Sequence, residues 1–323
     1  KRHSLHAEFE KVDVVLTSYA LIRRDIDLLT QVNWAHVVLD EGQNIKNDQS
    51  QTTQTVKQLS AQQRIVLTGT PMENRLEELW SLFDFLMPGF LARKQDFQRQ
   101  YVDAIEKQNN SERGAQLRNK IAPFILRRTK EQVVTELPEK TETILHVPME
   151  PEQEKLYKSI LAACKTNVFQ TLEEKGLKGS QITILSALMK LRQVCCHPGI
   201  LGIPLTDGQN QSGKFESFKE LIDEVVSEGH RVLVFSQFVE MLKTMKDHLD
   251  KNGVRYSYLD GSTLNREAVV KDFQNNPENL VFLLSLKAGG VGLNLTGADY
   301  VIHYDPWWNP AVENQATDRA YRI

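Results

Sequence analysis

The chain has 323 residues, of which 41% are hydrophobic and 25% charged, a composition typical of a globular protein with room for two domains. Its formal net charge of −3 argues weakly against nucleic acid, so any such contact has to come from a local group of Lys and Arg. No apolar run approaches the ~20 residues that span a bilayer, and the first residues lack the apolar core of a signal peptide. We therefore expect neither a membrane-spanning nor an exported protein.

Short apolar segments alternate with amphipathic ones over residues 12–86. The segments VDVVLTSY, HVVLDE and RIVLTGTP are predicted strands, and residues 51–59 are a predicted helix between two of them. Such alternation is typical of parallel strands joined by crossover helices. Residues 36–39 (HVVL) are a short, mostly apolar run with β-branched residues at its centre, which is typical of a strand buried on both faces.

Helices and a connector follow this first α/β region. Residues 77–132 read as a helical insertion, and LPEKTETILHVPMEPEQEKLY then places three prolines around one predicted apolar strand. We place the domain boundary near Glu139. A second helical stretch runs to about Val194, after which HRVLVFSQF, VRYSYLDG, NLVFLLSL and YVIHYDP are predicted strands. The sequence therefore predicts two α/β units, residues 1–138 and 139–323.

Two adjacent carboxylates, Asp40 and Glu41, end the strand HVVL. Ligands of open parallel sheets bind beyond the carboxyl ends of the strands. There one carboxylate can hold Mg²⁺ through its water shell while its neighbour activates an attacking water, as phosphoryl transfer requires. The alternative is a solvated turn, and the dipeptide by itself leaves the two interpretations even.

Three further segments favour a phosphate site. Thr68-Gly69-Thr70 lies at a strand end just before a helix, where hydroxyls and amides can sense a phosphate. The segment KAGGVGLN is a glycine-rich turn after another strand. Arg319 and Arg322 are three residues apart, which on a helix would put both guanidiniums on one face to bind a transferring phosphoryl group.

The three cysteines suit neither a disulfide framework nor a four-ligand zinc site. Cys195, Cys196 and His197 form the segment CCHP, which could serve a metal, but no second ligand pair accompanies them. We prefer the interpretation that the cysteines are small buried hydrophobes at a helix end.

Eight ordered blocks of the sequence resemble the motifs of Swi/Snf-type ATPases, the double-stranded-DNA translocases of helicase superfamily two. The resemblance covers essentially the whole chain and implies an α/β fold of two RecA-like parallel-sheet lobes, with helical protrusions at about residues 85–130 and 150–195. The blocks are DEGQ from Asp40, LTGTPMENRLEELWSLFDFL from Leu67, LRRTK from Leu126, LRQVCCHP from Leu191, VLVFSQF from Val232, YLDGST from Tyr258, SLKAGGVGLNLTGAD from Ser285 and DPWWNPAVENQATDRAYRI from Asp305.

The resemblance implies ATP and Mg²⁺ as cofactors and assigns roles in catalysis. Asp40 would hold Mg²⁺ through water, Glu41 would activate the attacking water, and Gln43 would couple the nucleotide state to the rest of its lobe. The implied catalytic set is completed by Gln315, Arg319 and Arg322, the arginines serving as fingers from the second lobe. Residues implied to couple hydrolysis to DNA are Thr68, Gly69, Thr70, Gly290 and Gly292.

Candidate DNA-binding residues lie in the blocks that face the duplex backbone in that family. They are Thr17, Ser18, Lys46, Ser236, Gln237, Gly261, Ser262, Lys287, Trp307 and Trp308. Hydroxyls, amides and lysines suit phosphate contacts that do not depend on base sequence. Two alternatives stay open: the tryptophans could pack internally, one buried and one exposed, and Lys46 could be a solvated charge at a helix start.

The sequence departs from the family pattern at its phosphate-binding loop, because no G-x-x-x-x-G-K-[ST] segment occurs. We therefore expect a fragment of a longer protein, with the first lobe incomplete at its N-terminus and negligible ATP hydrolysis by the fragment alone.

The predicted function is the motor core of an ATP-dependent translocase that acts on double-stranded DNA and remodels DNA-bound proteins. The alternatives are a strand-separating helicase and a non-catalytic DNA-binding or scaffold module. We expect a cytoplasmic, nucleoid-associated protein if the source is bacterial or archaeal and a nuclear one if it is eukaryotic; the oligomeric state stays open.

Overall fold

The structure is a computed structural model that describes residues 9, 11–72, 75–133, 140–206, 208–289 and 293–321. The chain divides into two compact units, Lys1–Val133 (unit one) and Val134–Ile323 (unit two). The predicted boundary residue Glu139 lies outside the described residues.

The sheet of unit one contains two parallel strands, β1 (Trp34–Leu39) and β2 (Ala61–Val66). Helix α1 (Tyr19–Leu29) precedes them, and its N-cap Ser18 accepts from the amide of Leu21. Between the strands lie a 3₁₀ helix and helix α2. Their bounds are Gly42–Ile45 and Gln51–Val56.

Only one face of this sheet is covered within the described residues. Leu39, Ile45 and Phe85 pack in a buried cluster on that face, whereas Val38 on β1 is 51% exposed. The prediction that β1 is buried on both faces is therefore wrong. The run of apolar residues does not bury itself, because burial of the second face needs a layer that packs against it.

The predicted strand VDVVLTSY is also absent. Residues 14–18 form no ladder, Leu16 is 93% exposed, and Tyr19 begins helix α1. A β-rich composition favours a strand only where a neighbour supplies hydrogen bonds, and here the Ser18 cap starts a helix instead.

Helical segments form most of residues 76–133, as predicted for residues 77–132. Leu79, Phe83, Phe97 and Tyr101 pack together in their core. The segments are α3 (Leu76–Leu86), α4 (Lys94–Phe97), a π-helical stretch (Gln98–Lys107), α5 (Ser111–Ile121), a 3₁₀ turn (Ala122–Phe124) and α6 (Lys130–Val133).

Unit two contains a four-stranded parallel sheet in the order β4-β5-β3-β6. All four strands predicted from the sequence are confirmed. They are β3 (Val232–Ser236), β4 (Tyr256–Leu259), β5 (Val281–Ser285) and β6 (Tyr300–His303). The fold class predicted from the sequence, α/β with parallel sheets, is confirmed.

Each face of this sheet is covered by helices. Val234 of β3 packs with Met241 and Met245 on one face, while Phe235 packs with Phe273 on the other. Such two-sided burial explains why β3 is apolar at nearly every position. The covering helices are α8 (Gly213–Ser227), α9 (Val239–Lys251), α10 (Arg266–Asn275), α11 (Leu286–Gly289) and α12 (Pro310–Thr317).

Helix α7 (Pro151–Cys196) forms the second predicted helical stretch and is interrupted at Gly176, whose φ is +63°. A 3₁₀ helix, Pro198–Leu201, follows it. Because left-handed backbone is cheap only for glycine, Gly176 is the residue at which the helix can break.

The connector before α7 differs from its prediction. Residues 140–150 contain no strand, and Ile144 is 80% exposed. Its apolar residues have no partner strand among the described residues, so alternation alone does not produce a ladder. No helix in the described part of the chain is both long and apolar enough to cross a bilayer.

Candidate functional site

The carboxyl ends of β1 and β2 bring the acidic pair and the Thr68 segment together. The Leu67 amide donates to the carbonyl of Leu39 at 2.8 Å, and the Gly42 amide donates back to Leu67 at 2.9 Å. These bonds extend the parallel pairing past the strand ends. The sequence-predicted residues Asp40, Glu41, Thr68 and Thr70 thus lie on adjacent loops, where an open sheet binds its ligand.

Asp40 is exposed and lies in a sharp turn. Its Oδ1 accepts from the amide of Glu41 at 2.9 Å, and Glu41 adopts φ +50° and ψ 55°. A left-handed residue other than glycine is uncommon and is found disproportionately at functional sites. Among the described residues, neither carboxylate takes part in an ion pair. The turn therefore presents two carboxylates that form no ion pair with a Lys, Arg or His side chain of the described residues.

A chain of polar contacts links Glu41 to the loop after β2. Gln43 Nε2 donates to Glu41 Oε2 at 2.7 Å, and the Thr68 hydroxyl donates to Gln43 Oε1 at 2.9 Å. The amide of Thr70 donates in turn to Thr68 Oγ1 at 3.1 Å. These hydrogen bonds can therefore transmit a movement of the Glu41 carboxylate, through Gln43 and the Thr68 hydroxyl, to the amide of Thr70.

Close packing at Gly42 holds this chain in place. A Cβ at that position would lie 2.2 Å from Cγ1 of Val66, so the turn approaches β2 as only glycine allows. The 3₁₀ helix that follows is fixed to α3, because the buried Ser81 hydroxyl donates to the carbonyl of Ile45 at 2.6 Å.

Tyr19 is a site residue that the sequence analysis missed. Its hydroxyl donates to the Asp40 carbonyl at 2.7 Å, and burial, with Asp40 and Glu41 nearby, raises its pKa to about 12. The signal was its place directly after the candidates Thr17 and Ser18, both of which are exposed. Lys46 is half-buried and caps the 3₁₀ helix through a backbone bond to Gln43.

The candidate DNA-binding residues of unit two follow the carboxyl ends of its four strands. Parallel strands all end on the same side, so the order β4-β5-β3-β6 arranges these residues in a row. Along the row they are Gly261 and Ser262, then Lys287, then Ser236 and Gln237, then Trp307 and Trp308.

Asp260 shapes the first end of that row. It is buried, and its Oδ1 accepts from the Ser262 amide at 2.8 Å and from the Ser262 hydroxyl at 2.7 Å. These bonds, led by the Ser262 hydroxyl, lower the pKa of Asp260. The turn so formed leaves Gly261 exposed, and Lys287 on the next strand end is exposed as well.

Asp305 occupies the centre of the other end and is only 4% exposed. It accepts from the Ser236 hydroxyl and from the Gln237 amide at 3.2 Å. Burial nevertheless raises its pKa to about 6. The side chain of Ser236, 1% exposed, is thus engaged with Asp305, and its neighbour Gln237 is the more accessible of the pair.

The tryptophans divide as expected. Trp307 is half-buried against the core, and its amide donates to Glu313 Oε1 at 2.8 Å, whereas Trp308 is 57% exposed. The guanidinium of Arg192 lies 4.7 Å from the ring centroid of Trp308. Arg192, in the block LRQVCCHP, is a second residue that the sequence analysis did not single out.

The helical arrangement predicted for the arginine pair is wrong at Arg319. Helix α12 ends at Thr317, and Arg319 is 4% exposed with its carbonyl bonded to the amide of Leu295 at 2.9 Å. Asp318 caps the helix, so Arg319 lies beyond the helix on which it was predicted. Gln315 is half-buried on α12. Arg322, Gly290 and Gly292 lie outside the described residues.

The CCHP segment matches the interpretation of buried hydrophobes. Cys196 is 2% exposed, and burial raises its thiol pKa to about 12. Within the described ranges, no group of three or more His, Cys, Asp or Glu side chains has the geometry to hold a metal ion.

Comparison with known proteins identifies the family. Residues 1–200 match the SNF2-related domain, and residues 213–323 match the helicase conserved C-terminal domain. The chain belongs to the SNF2 family. The two matches confirm the predicted resemblance to Swi/Snf-type ATPases. The members of this family are ATP hydrolases.

Curated relatives of this SNF2 chain come from bacteria and eukaryotes. YwqA of Bacillus subtilis, named as a candidate ATP-dependent helicase/translocase, is 43% identical over 98% of this chain and 35% of its own. The ISWI chromatin-remodeling complex ATPase ISW1 of Saccharomyces cerevisiae is 36% identical over 96% of this chain and 28% of its own. The chain therefore spans about a third of the length of these relatives.

A solved structure is also similar to the chain. It is the SWI2/SNF2 ATPase core of Sulfolobus solfataricus in complex with double-stranded DNA, 38% identical with a TM-score of 0.48. The match covers 97% of this chain and 66% of that one.

Proposed function

We propose that this SNF2 chain is part of the motor of an ATP-dependent double-stranded-DNA translocase that remodels DNA–protein complexes. The observation that carries the proposal is the hydrogen-bonded chain from Glu41 through Gln43 to Thr68. It joins a carboxylate at the end of β1 to the loop after β2, as a motor requires if the state of a nucleotide is to change its grip on DNA. The name of ISW1 as a remodelling ATPase supports the proposal.

The acidic pair suits hydrolysis of ATP with Mg²⁺. Asp40 is exposed, and Mg²⁺ keeps several of its waters while it binds one or two carboxylates, so the residue fits a water-mediated role. The ion would neutralise charge on the phosphates. Glu41 would orient and deprotonate the attacking water, and Gln43, bonded to the Glu41 carboxylate, would hold it in position.

The row at the carboxyl end of the second sheet would contact the DNA backbone. Gly261 offers exposed backbone, Lys287 an exposed cationic side chain and Trp308 an exposed aromatic side chain. Contacts of this kind bind phosphate and sugar in any sequence, as a translocase needs. Binding should therefore weaken as salt rises, because phosphate contacts release counterions.

Residues 1–323 by themselves should hydrolyse ATP negligibly. They contain no G-x-x-x-x-G-K-[ST] segment, whose amides and lysine cradle the phosphates in P-loop enzymes. Glu41-dependent turnover by these residues alone would contradict this part of the proposal.

The test is steady-state ATP turnover by the longest natural product that contains this chain, with double-stranded DNA, single-stranded DNA or no DNA. We expect duplex to stimulate turnover most strongly and Glu41→Gln to lower it by about 10²- to 10⁴-fold, the range of general-base catalysis. Glu112→Gln, at the start of helix α5, removes an exposed carboxylate of unit one and should change nothing.

Other outcomes select the alternatives. Stronger stimulation by single strands, with strand separation, would favour a helicase. DNA binding without turnover under any condition would favour a scaffold that retains the motor motifs.

A further inference from the structure

Side chains from three segments of unit two fix the last turn of helix α7. The carbonyl of Cys196 accepts from the Tyr304 hydroxyl at 2.7 Å and from the Ser212 hydroxyl at 2.8 Å. The carbonyl of Val194 accepts from Gln153 Nε2 at 2.7 Å. The last carbonyls of a helix have no partner within it, so these donors satisfy them and set the rotation of the helix end.

That rotation directs Arg192 toward the carboxyl end of the sheet. Its Nη1 donates to Gln237 Oε1 at 3.0 Å, and its Nη2 donates to the carbonyl of Pro306 and lies 4.0 Å from Asp305 Oδ2. Gln237 follows β3, whereas Pro306 and Asp305 follow β6. One planar guanidinium therefore joins the ends of two neighbouring strands.

The same guanidinium stacks on aromatic rings. It lies 4.7 Å from the ring centroid of Trp308 and 5.6 Å from that of Trp307. The Arg192 side chain is only 18% exposed, while Trp308 is 57% exposed. A desolvated cation holds an aromatic ring more strongly than an exposed one, so Arg192 restrains a ring that otherwise faces solvent.

The bond to Arg192 also sets the orientation of the Gln237 amide. Because Oε1 accepts from the guanidinium, Nε2 must point away, and it is a buried donor without a hydrogen-bond partner among the described residues. A buried unsatisfied donor is costly, so this orientation of the amide depends on the bond to Arg192 that holds it.

We propose that Arg192 is a positioning residue that orients Gln237 and Trp308 at the carboxyl end of the second sheet for contact with the DNA backbone. This inference rests on the proposed function. Arg192 is not needed to anchor the helix end, because Tyr304, Ser212 and Gln153 already do so. A purely structural role for Arg192 would therefore be redundant.

The variants that test the proposal are Arg192→Gln, Arg192→Lys and the control Lys190→Gln, made in the longest natural product. Lys190 is exposed on the same helix, so its substitution removes the same charge without the contacts to Gln237 and Trp308. Lysine keeps the charge at 192 but cannot form the planar fork, so Arg192→Lys should behave more like Arg192→Gln than like the natural protein.

The first measurement does not depend on turnover. Acrylamide quenching of tryptophan fluorescence, taken as the difference between each variant and the same variant with Trp308→Phe, reports the accessibility of Trp308. Loss of the guanidinium over the ring should raise its quenching constant by about 1.5-fold, and Lys190→Gln should leave it unchanged.

The second measurement is ATP turnover as a function of duplex concentration. We expect Arg192→Gln to raise the KM for DNA about tenfold, the loss of a charge-assisted hydrogen bond, and to leave DNA-independent turnover unchanged. If Arg192→Gln instead lowered DNA-independent turnover by about tenfold as well, Arg192 would have a general structural role, and the proposal would be overturned.

The two measurements separate the possible failures. If duplex does not stimulate the natural protein, the proposed function fails, and the quenching result still decides whether Arg192 holds Trp308. If Arg192→Gln does not fold, the same measurements on Arg192→Lys decide. Unchanged quenching and unchanged KM in a folded Arg192 variant would overturn the inference.

Discussion

Asp40 and Asp305 both follow a parallel strand, yet the protein treats them in opposite ways. Asp40 is exposed, and the hydrogen bond found for its carboxylate comes from the next amide, that of Glu41. Asp305 is 4% exposed and accepts from the Ser236 hydroxyl and the Gln237 amide. The number of donors and the depth of burial thus separate two carboxylates that have the same place in the topology.

The difference separates a group available for chemistry from one that supports its neighbours. An exposed carboxylate can exchange waters with an ion. A buried one has its lone pairs committed to protein donors and rises in pKa, here to about 6. Under the proposed function, Asp40 would serve the ligand, and Asp305 would hold the loops that contact it.

Gly42→Ala, next to the exposed Asp40 turn, should have the largest effect on the free energy of unfolding. Its Cβ would lie 2.2 Å from Cγ1 of Val66, and overpacking of this kind costs about 3 kcal/mol in the free energy of unfolding. The shift would also move Glu41 and abolish most ATP turnover. Urea unfolding of the variant checks the stability, with Gly114→Ala as control because its Cβ would meet no atom within 4 Å beyond its chain neighbours and its own helix backbone. Equal stability of the two variants would contradict the close approach.

Ser236→Ala tests the buried side of the comparison and should cost about 2 kcal/mol. The substitution removes one donor from a buried carboxylate, and hydrogen bonds to charged groups are worth more than neutral ones. Thermal unfolding compared with Ser227→Ala, an exposed serine at the end of helix α8, measures the effect. Similar losses in both variants would show that Asp305 does not depend on Ser236.

The pH dependence of the free energy of unfolding should show a contribution from Asp305. Its pKa is raised in the folded state, so the folded protein binds the proton more tightly than the unfolded chain does. The free energy of unfolding should then fall as pH rises through the folded pKa, by about 1 kcal/mol between pH 5 and 7. Arg192 and Lys214 oppose the shift but do not cancel it. Urea unfolding at both pH values, compared with Asp305→Asn, isolates this contribution; an identical pH dependence in the variant would exclude it.

Thr68→Val should have the smallest effect on stability and a selective one on activity. It breaks the link from Gln43 to the loop after β2 while preserving the shape of the side chain. We expect about a fivefold loss of DNA-stimulated turnover, the value of one hydrogen bond of about 1 kcal/mol. Thr55→Val on helix α2, whose hydroxyl donates to the carbonyl of Gln51 in the same helix, is the control. Undiminished turnover would show that Gln43 acts without Thr68.

Much of unit two could be predicted from the sequence because its strands are nearly continuous apolar runs. Val234 and Phe235 face opposite layers and are both fully buried, so the local pattern and the packing agree. In unit one the same kind of run was misleading. Val38 is half-exposed because no layer of the described chain covers its side of the sheet, and Leu16 lies outside any strand.

The candidate site could likewise be predicted only in part from the sequence. Placing Asp40, Glu41 and Thr68 on adjacent loops needed only the parallel order of two strands. Arg192 was missed because its partners Gln237 and Pro306 lie 45 and 114 residues away along the chain. Arg319 was placed on a helix because its spacing was considered without the cap at Asp318.

The sequence by itself determined which residue types follow which strands, and hence the family and the loops that carry Glu41 and Lys287. These features are local, since periodicity and composition are properties of neighbouring residues. Only the tertiary structure decided that Asp40 is exposed, that Asp305 is buried and that Arg192 reaches Trp308. Burial and long-range hydrogen bonds depend on what packs across a sheet, and distant segments supply those partners.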